Sequence, residues 1–195
     1  MESEEILEPR ERILHAAKEV FGAHGYQGGS LNEVAKRSGY TRAGLLHYFP
    51  SKEAILLALL DLRDERLHIL DDQAAQDGGI LHLLDLLPDI VTEILKDRLL
   101  VQLAHVLTAE ASDPDHPARA WASRRHELVR RGAAEAVRSS IERGEVRADA
   151  DPDAIAALLL GAAEGVEAQW LVNPDVDPRR CTEVMVEMIR AALVP

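Results

Sequence analysis

Residues 28–53, GGSLNEVAKRSGYTRAGLLHYFPSKE, decide the fold of the N-terminal part of this chain. Ser30 stands where an N-cap residue begins a helix, and Glu33 three residues later predicts a capping box. Gly39 can adopt the left-handed backbone conformation that a tight turn requires. Thr41 then stands as a second N-cap residue. The stretch therefore predicts two short helices joined by a turn.

Helices on both sides of this stretch are predicted by apolar spacing and by end signals. Near the end of the stretch, Pro50 and Ser51 end one helix and start the next. Before the stretch, Gly25 is placed to end the preceding helix. Together with Leu45 and Phe49, the apolar side of that earlier helix predicts a small three-helix core. The apolar stripe recurs at helical spacing and comprises Ile13, Ala16, Ala17, Val20 and Phe21.

Two short helices joined by a glycine-containing turn form a module that binds DNA, with the second helix in the major groove. Arg42 lies in the first turn of that second helix, which spans Thr41 to Tyr48. Its guanidinium suits either a guanine edge or a phosphate, and the pattern leaves both open. Hydroxyls, cations and helix N-termini suit phosphates. The predicted DNA-binding residues are Ser30, Thr41, Arg42, Ala43, His47, Tyr48 and Lys52.

The distribution of charge supports this prediction, although the whole chain is acidic. Its 195 residues carry a formal net charge of −12. From Arg10 to Lys52, however, seven residues are basic and only three are acidic. A basic module on an acidic body favours docking to phosphates through the module and disfavours contacts of the body with DNA.

Three segments that share one register, FGAHGY, SLNEVAKRSGYTRAGLLHYF and PSKEAIL, resemble the TetR family of transcriptional regulators over about Ile13 to Leu57. Gly44 and Leu46 differ from that family's commonest residues, which are a small polar residue and a tyrosine. The resemblance implies an all-α fold, in which an N-terminal three-helix helix-turn-helix domain precedes a C-terminal helical ligand-binding and dimerisation bundle.

The remainder of the chain predicts helices separated by turns. Pro88 is expected to bend or split one of them, because proline removes a helical hydrogen bond. The predicted helices span 52–71, 80–96, 98–111, 118–143, 152–172 and 179–193. The predicted divisions are a disordered tail at 1–9, a helix-turn-helix DNA-binding domain at 10–53 and a helical ligand-binding and dimerisation domain at 54–195.

The predicted helix 152–172 is rich in small residues, and Gly161 and Gly165 share one of its sides. Glycine inside a helix costs about 1 kcal/mol relative to alanine, which suggests that another helix approaches closely. Packing within one subunit and pairing between subunits both fit this pattern. The resemblance implies a homodimer formed through the last two helices. The expected dimer interface includes Gly161, Ala162, Gly165 and Val186.

The two tryptophans, Trp121 and Trp170, lie in leucine- and alanine-rich helices. They either line a ligand cavity or take part in ordinary packing. His105 and Arg125 offer polar contacts to the same ligand. The predicted ligand-binding residues are therefore His105, Trp121, Arg125 and Trp170, and the ligand is expected to be a small-molecule effector.

Little in the sequence favours an enzyme, a metal protein or a membrane protein. The single cysteine, Cys181, excludes an internal disulfide and fits a reducing cytoplasm. His82 and Asp85 form the one i, i+3 candidate for a metal pair, and a solvated pair is favoured. No nucleophile elbow, phosphate-binding glycine loop or signal peptide is visible, and no apolar run is expected to reach the ~20 residues that span a bilayer. No catalytic residue, metal, cofactor or membrane contact is predicted.

Two classes of function remain. The first is a cytoplasmic, homodimeric repressor that is released from near-palindromic operator DNA by a small molecule. The alternative is a helical small-molecule-binding protein or enzyme that has lost DNA binding. The cations and hydroxyls between Thr41 and Lys52 favour the first class, because a carrier has no need of them there.

Overall fold

The computed structural model describes residues 8–71 and 78–194, with side chains at 8–62 and 78–194. Residues 1–7, which belong to the predicted tail, lie outside the described residues. Within the described ranges the chain forms helices and no strand, which confirms the predicted all-α fold. Each helix predicted between residues 52 and 193 is found, with ends shifted by no more than one residue. The helices are α1 (Pro9–Gly28), α2 (Leu31–Ser38), α3 (Arg42–Tyr48), α4 (Lys52–Asp71), α5 (Gly79–Leu95), α6 (Arg98–Glu110), α7 (Arg119–Glu142), α8 (Pro152–Val172) and α9 (Pro178–Leu193).

The chain divides into two compact units. The N-terminal unit joins Met1–Arg63 with Leu99–Ala122, and the C-terminal unit joins Asp64–Arg98 with Ser123–Pro195. The N-terminal unit therefore contains α6 as well as the three helices that the sequence assigns to DNA binding. The functional limits at 10–53 and 54–195 stay a prediction, because units of packing and functional domains are different divisions of a chain.

The apolar stripe predicted on α1 forms the core of the N-terminal unit. Its five residues are each at most 3% exposed, and Leu45 and Phe49 join the same core at 0% and 3% exposure. Gly25 interrupts α1 with φ +68° and ψ 174°, after which the chain makes one further helical turn. This backbone conformation is essentially restricted to glycine, which explains why the predicted end signal falls there.

Three hydroxyls cap the helices that follow. Ser30 Oγ, Thr41 Oγ1 and Ser51 Oγ each accept a hydrogen bond from a backbone N–H in the first turn of α2, α3 and α4, at 3.0–3.3 Å. The complete capping box predicted at Ser30 is wrong. The Glu33 carboxylate instead accepts a hydrogen bond from the Arg37 guanidinium at 2.8 Å, because a cation one turn later on the exposed side offers a charged partner.

The C-terminal unit has a core of its own. Pro88 does not split α5, which continues to Leu95, and the Pro88 carbonyl accepts a hydrogen bond from Thr92 Oγ1 at 2.7 Å. Arg179 of α9 donates to Asp89 of α5 at 2.7 Å. Buried residues of this core include Ile80, Leu84, Val137, Ala156, Leu159 and Leu193.

Helix α8 corrects the expectation that no apolar run approaches membrane-spanning length. It has 21 residues and a mean hydropathy of 1.4 in its most apolar window, so by length and composition alone it is long and apolar enough to cross a membrane. The leucines, alanines and valines of the helix account for this hydropathy. Glu164 and Glu167 lie within the helix, and Glu167 is only 3% exposed.

Candidate nucleic-acid interface

The turn between α2 and α3 sets the direction of the second helix. Gly39 has φ +77°, in the left-handed region that favours glycine, as the sequence predicts. The Tyr40 N–H closes the turn on the Ala35 carbonyl at 2.9 Å. Leu45, fully buried, then fixes α3 by its inner side.

The outer side of α3 is open to solvent. Thr41, Arg42, Ala43 and His47 are all exposed, whereas Leu46 is half-buried against the core. Four of the seven predicted DNA-binding residues thus lie on one exposed helical surface that begins at a helix N-terminus. Such a surface presents backbone N–H groups and side chains to a groove or a phosphate.

The cations near this surface differ in whether they are already paired. Among the described residues, Arg42 takes part in no ion pair. Arg37, by contrast, is paired with Glu33 at 2.8 Å and with Glu19 at 3.4 Å. Arg12 donates to the Ser38 carbonyl at 2.9 Å and its guanidinium carbon lies 5.3 Å from the centre of the Tyr40 ring. Counting charges in the sequence does not separate these cases.

An aromatic group continues the surface at the C-terminal end of α3. Tyr48 is 41% exposed, and its ring packs edge-on against Tyr40 at 5.8 Å and against His47 at 5.5 Å between centroids. These contacts hold the predicted contact residues His47 and Tyr48 in one arrangement. Tyr40 supports this surface and was not among the predicted contacts, although its place directly before Thr41 offered a signal.

Lys52 differs from the other predicted contacts because other side chains surround it. Its Nζ donates to the Gln27 carbonyl at 3.3 Å and lies 4.5 Å from the centre of the Tyr26 ring. Burial lowers the Lys52 pKa below its usual value, and the negative charge of Glu110 opposes that shift. Its ammonium is therefore held against the end of α1.

Ser30 is exposed, but its oxygen already accepts two backbone hydrogen bonds at the start of α2. Only its proton remains to donate to a phosphate. DNA contacts by Ser30 and Lys52 stay predictions, as do those of the α3 residues.

The four residues predicted to bind ligand divide between the two units. His105 and Trp121 belong to the N-terminal unit, where Trp121 is 3% exposed and packs in the core. Arg125 and Trp170 belong to the C-terminal unit. The Trp170 ring lies 4.8 Å from the Arg98 guanidinium carbon.

Arg125 is part of a charged cluster between α7 and α8. It is 8% exposed and donates to the Glu164 carboxylate at 3.0 Å. His126 Nε2 lies 3.1 Å from the same carboxylate oxygen. A ligand contact by Arg125 stays a prediction, and it would compete with Glu164.

The residues predicted at the dimer interface include two glycines with open surroundings. A Cβ atom added at Gly161 or Gly165 would meet nothing within 4 Å. Ala162 and Val186 are half-buried. Close packing within one subunit, the alternative explanation of the glycines, is therefore not what the described residues show.

Asp85, which with His82 forms the suggested metal pair, already has a different partner. The Asp85 carboxylate accepts a hydrogen bond from Arg190, which links α5 to α9. Within residues 8–62 and 78–194, no group of three or more His, Cys, Asp or Glu side chains is placed to hold a metal ion.

Comparison with known proteins identifies the helix-turn-helix segment. Residues 13–59 match the family model of bacterial regulatory proteins, tetR family. The chain is 26% identical over 160 residues to the HTH-type transcriptional regulator UidR of Escherichia coli (strain K12), and the match covers 82% of this chain and 80% of UidR.

Two solved structures share the fold over nearly the whole chain. The SmeT–triclosan complex superposes with a TM-score of 0.80 at 24% identity, over 96% of this chain and 92% of the other. SmeT is the repressor of the Stenotrophomonas maltophilia multidrug efflux pump SmeDEF. FadR from Bacillus subtilis, in complex with stearoyl-CoA, superposes with a TM-score of 0.76 at 17% identity, over 93% and 97%.

The match at residues 13–59 covers α1, α2, α3 and the start of α4, which are the elements that form the exposed surface of α3. The similarity to UidR extends the relationship well beyond that segment. The helix-turn-helix segment therefore matches the tetR family of bacterial regulatory proteins, and most of the chain is similar to an HTH-type transcriptional regulator.

Proposed function

We propose that this chain is a cytoplasmic, homodimeric repressor that binds near-palindromic operator DNA and releases it when a small molecule binds. The observation that carries the proposal is the N-terminal half of α3, where Thr41, Arg42 and Ala43 are exposed at a helix N-terminus. Arg42 has no ion-pair partner among the described residues and is available to a guanine or a phosphate.

The outer side of α8 supports the homodimer. Leu158 and Val172 are 69% and 87% exposed, and Gly161 and Gly165 lie between them at helical spacing. Such an apolar stripe is unfavourable in water and favours burial against another molecule. A second copy of α8 fits, because glycines allow two helices to approach closely.

Release by a small molecule is supported by two structures with the same fold. SmeT was solved with triclosan and FadR with stearoyl-CoA. We infer a largely apolar effector for this chain, bound by its leucine- and alanine-rich helices. The effector would act through a change in α4, whose first turns belong to the N-terminal unit and whose last turns belong to the C-terminal unit.

The alternative, a small-molecule-binding protein or enzyme without DNA binding, is not favoured. The relatives that the chain matches are named as regulators rather than as enzymes. A protein that had lost DNA binding would have no need to keep Arg42 exposed between a helix cap and an aromatic support.

The proposal is tested by selection of DNA from a random duplex library. Wild-type protein is expected to enrich an inverted repeat whose half-sites lie one helical turn, about 34 Å, apart. Arg42→Ala protein, taken through the same selection, serves as the control and is expected to enrich a weaker or altered motif. Failure of the wild type to enrich any motif would contradict DNA-binding regulation.

A further inference from the structure

A cluster of polar and aromatic groups in the N-terminal unit lies beside the helix-turn-helix and has no place in the function proposed above. The Glu110 carboxylate, at the end of α6, accepts a hydrogen bond from the Tyr26 N–H at 2.9 Å. His116 Nε2 lies 3.4 Å from the same oxygen. The His116 and Tyr26 rings meet edge-on with centroids 5.4 Å apart.

The approach of Glu110 to α1 depends on Gly25. A Cβ atom at Gly25 would lie 2.3 Å from Glu110 Oε1, a distance at which atoms clash. Gly25 is also the residue whose conformation breaks α1 and turns the next backbone N–H toward the carboxylate. Both the close approach of the Glu110 carboxylate and the break in α1 thus require glycine at position 25.

A backbone hydrogen bond to His116 determines which tautomer its neutral imidazole adopts at this cluster. Its side chain is 2% exposed, and its Nδ1 accepts a hydrogen bond from the Ala118 N–H at 3.1 Å. In the neutral imidazole the proton therefore lies on Nε2, on the side of Glu110. The imidazole N–H thus faces the Glu110 carboxylate, whose side chain is 26% exposed.

The cluster continues from Tyr26 to Lys52. The Lys52 ammonium lies 4.5 Å from the centre of the Tyr26 ring and donates to the Gln27 carbonyl, the residue next along the chain. A second bond from α6 reaches α1, since Gln102 Nε2 donates to the Gly22 carbonyl at 2.8 Å. The end of α1 is therefore held from α6 on one side and holds Lys52 on the other.

We propose that Glu110 is a positioning residue for DNA binding: through the Tyr26 backbone it fixes the end of α1, and thereby the ammonium of Lys52, without touching DNA itself. This rests on the proposed DNA-binding function and adds to it a residue that neither the helix-turn-helix segment nor its charge pattern contains.

The sign of the effect separates positioning from charge. Glu110 is an anion, so removing its charge alone would strengthen binding to DNA or leave it unchanged. If Glu110 positions Lys52, its removal weakens binding instead. Exposed Glu93, at the end of α5, provides a charge-matched control, because Glu93→Gln removes one negative charge from the C-terminal unit.

The experiment measures affinity for the duplex that wild-type protein enriches from a random library. Glu110→Ala is expected to bind it at least about fivefold more weakly, the lower end of coupling between sites. Glu110→Gln keeps an oxygen for the Tyr26 N–H and is expected to lie between Glu110→Ala and wild type. Glu93→Gln is expected to bind as wild type or more tightly. Circular dichroism and sedimentation confirm that each variant keeps its fold and oligomeric state.

Two further measurements report the route of the effect. In a double-mutant cycle with Lys52→Ala, the loss in the double variant is expected to be smaller than the sum of the single losses. Amide hydrogen exchange at Tyr26, measured without DNA, is expected to be faster in Glu110→Gln and Glu110→Ala than in wild type. If Glu110→Ala does not fold, Glu110→Gln and the exchange rate at Tyr26 decide.

The proposal is overturned if both Glu110 variants bind as tightly as Glu93→Gln, if the cycle is additive, or if exchange at Tyr26 is unchanged. Failure of the repressor proposal looks different. Then wild-type protein enriches no duplex at all, while exchange at Tyr26 still reports whether Glu110 holds the end of α1.

Discussion

At the scale of single residues, the two cations predicted to bind DNA are held in opposite ways. Arg42 is exposed on α3 and has no ion-pair partner within residues 8–62 and 78–194. Lys52 is half-buried and fixed between the Gln27 carbonyl and the Tyr26 ring. A fixed ammonium suits one phosphate position, whereas a free guanidinium can adapt to a base edge.

The variants Arg42→Ala and Lys52→Ala are therefore expected to fail differently. Loss of Lys52 removes a phosphate contact, so it should weaken all duplexes about equally and lower the salt slope by about one. If Arg42 contacts a base, its loss should cost ~1–3 kcal/mol on the selected duplex and relax preference at one position of each half-site. Affinities for selected and scrambled duplexes at several salt concentrations measure both effects.

A charge-matched control for these variants is Lys96→Ala, which removes a positive charge at the end of α5 in the C-terminal unit. It should leave the salt slope near that of wild type. Unchanged affinity of both Arg42→Ala and Lys52→Ala for both duplexes would mean that this helix-turn-helix is not the surface that binds DNA.

Gly25 allows a second test at the residue scale, on stability. Gly25→Ala should lower the free energy of unfolding by at least about 2 kcal/mol, because alanine is strained at φ +68°, ψ 174° and its Cβ would clash with Glu110. Gly144→Ala is the matched control. Gly144 also has positive φ, +71°, but a Cβ there meets nothing within 4 Å, so about 1 kcal/mol is expected.

Denaturant unfolding at one fixed protein concentration measures both alanine variants, which matters for a chain proposed to dimerise. Equal losses at the two positions would show that the approach of Glu110 to Gly25 contributes nothing to stability.

At the scale of helices, the sequence predicts what is local and misses what is not. The ends of α2, α3 and α4 follow from Ser30, Thr41 and Ser51, because a cap needs only its own first turn. The hydrogen-bond partner predicted for Glu33 was wrong. The Ser30 backbone of a capping box and the Arg37 guanidinium compete for the same carboxylate, and only the three-dimensional placement decides between them. Glu110 bonds a residue 84 positions away, so no local pattern indicates it.

The same limit applies to α8, where composition alone fits a membrane span, a buried core helix or an interface. Only its surroundings distinguish these roles. The side with Leu158, Gly161, Gly165 and Val172 is exposed, while Ala156 and Leu159 face the core. The contacts thus leave one apolar side of α8 uncovered, and the interface is a proposal about what covers it.

Two substitutions at Gly161 test that interface. Gly161→Leu should weaken the dimer by roughly 1–3 kcal/mol if a second helix packs there, as overpacking does in a filled core. Gly161→Ala is the matched control, because it raises helix propensity by about 1 kcal/mol with little added volume. Sedimentation over a range of concentrations gives both dissociation constants.

Because a Cβ at Gly161 meets nothing within 4 Å of its own subunit, Gly161→Leu should fold normally as a monomer. Monomeric wild-type protein at micromolar concentration would defeat the dimer itself. A Gly161→Leu dimer as tight as wild type would move the interface elsewhere.

At the scale of the whole molecule, the question is how the occupancy of one part alters the DNA affinity of another. An effector changes DNA affinity only if it binds the two functional states unequally, and such coupling is typically ~1–3 kcal/mol. The sequence predicts the kind of fold in which this occurs, but it does not identify the residues that line the effector site. Trp121 illustrates why: it is 3% exposed and packs in the core, and its residue type alone did not distinguish packing from ligand contact.

The two tryptophans, one in each unit, allow the effector to be located. In Trp121→Phe protein only Trp170 contributes tryptophan emission, and in Trp170→Phe protein only Trp121 does. A small, largely apolar molecule that binds the C-terminal unit should change the emission of Trp170, which is half-buried beside Arg98. The same molecule should lower affinity for the selected duplex by roughly 5- to 150-fold, and by linkage the duplex should lower affinity for the molecule by the same factor.

Trp121 then reports whether the N-terminal unit changes as well. If a broad metabolite screen yields molecules that bind and alter Trp170 emission but leave duplex affinity unchanged, release by an effector is wrong, even though the chain binds both DNA and a ligand.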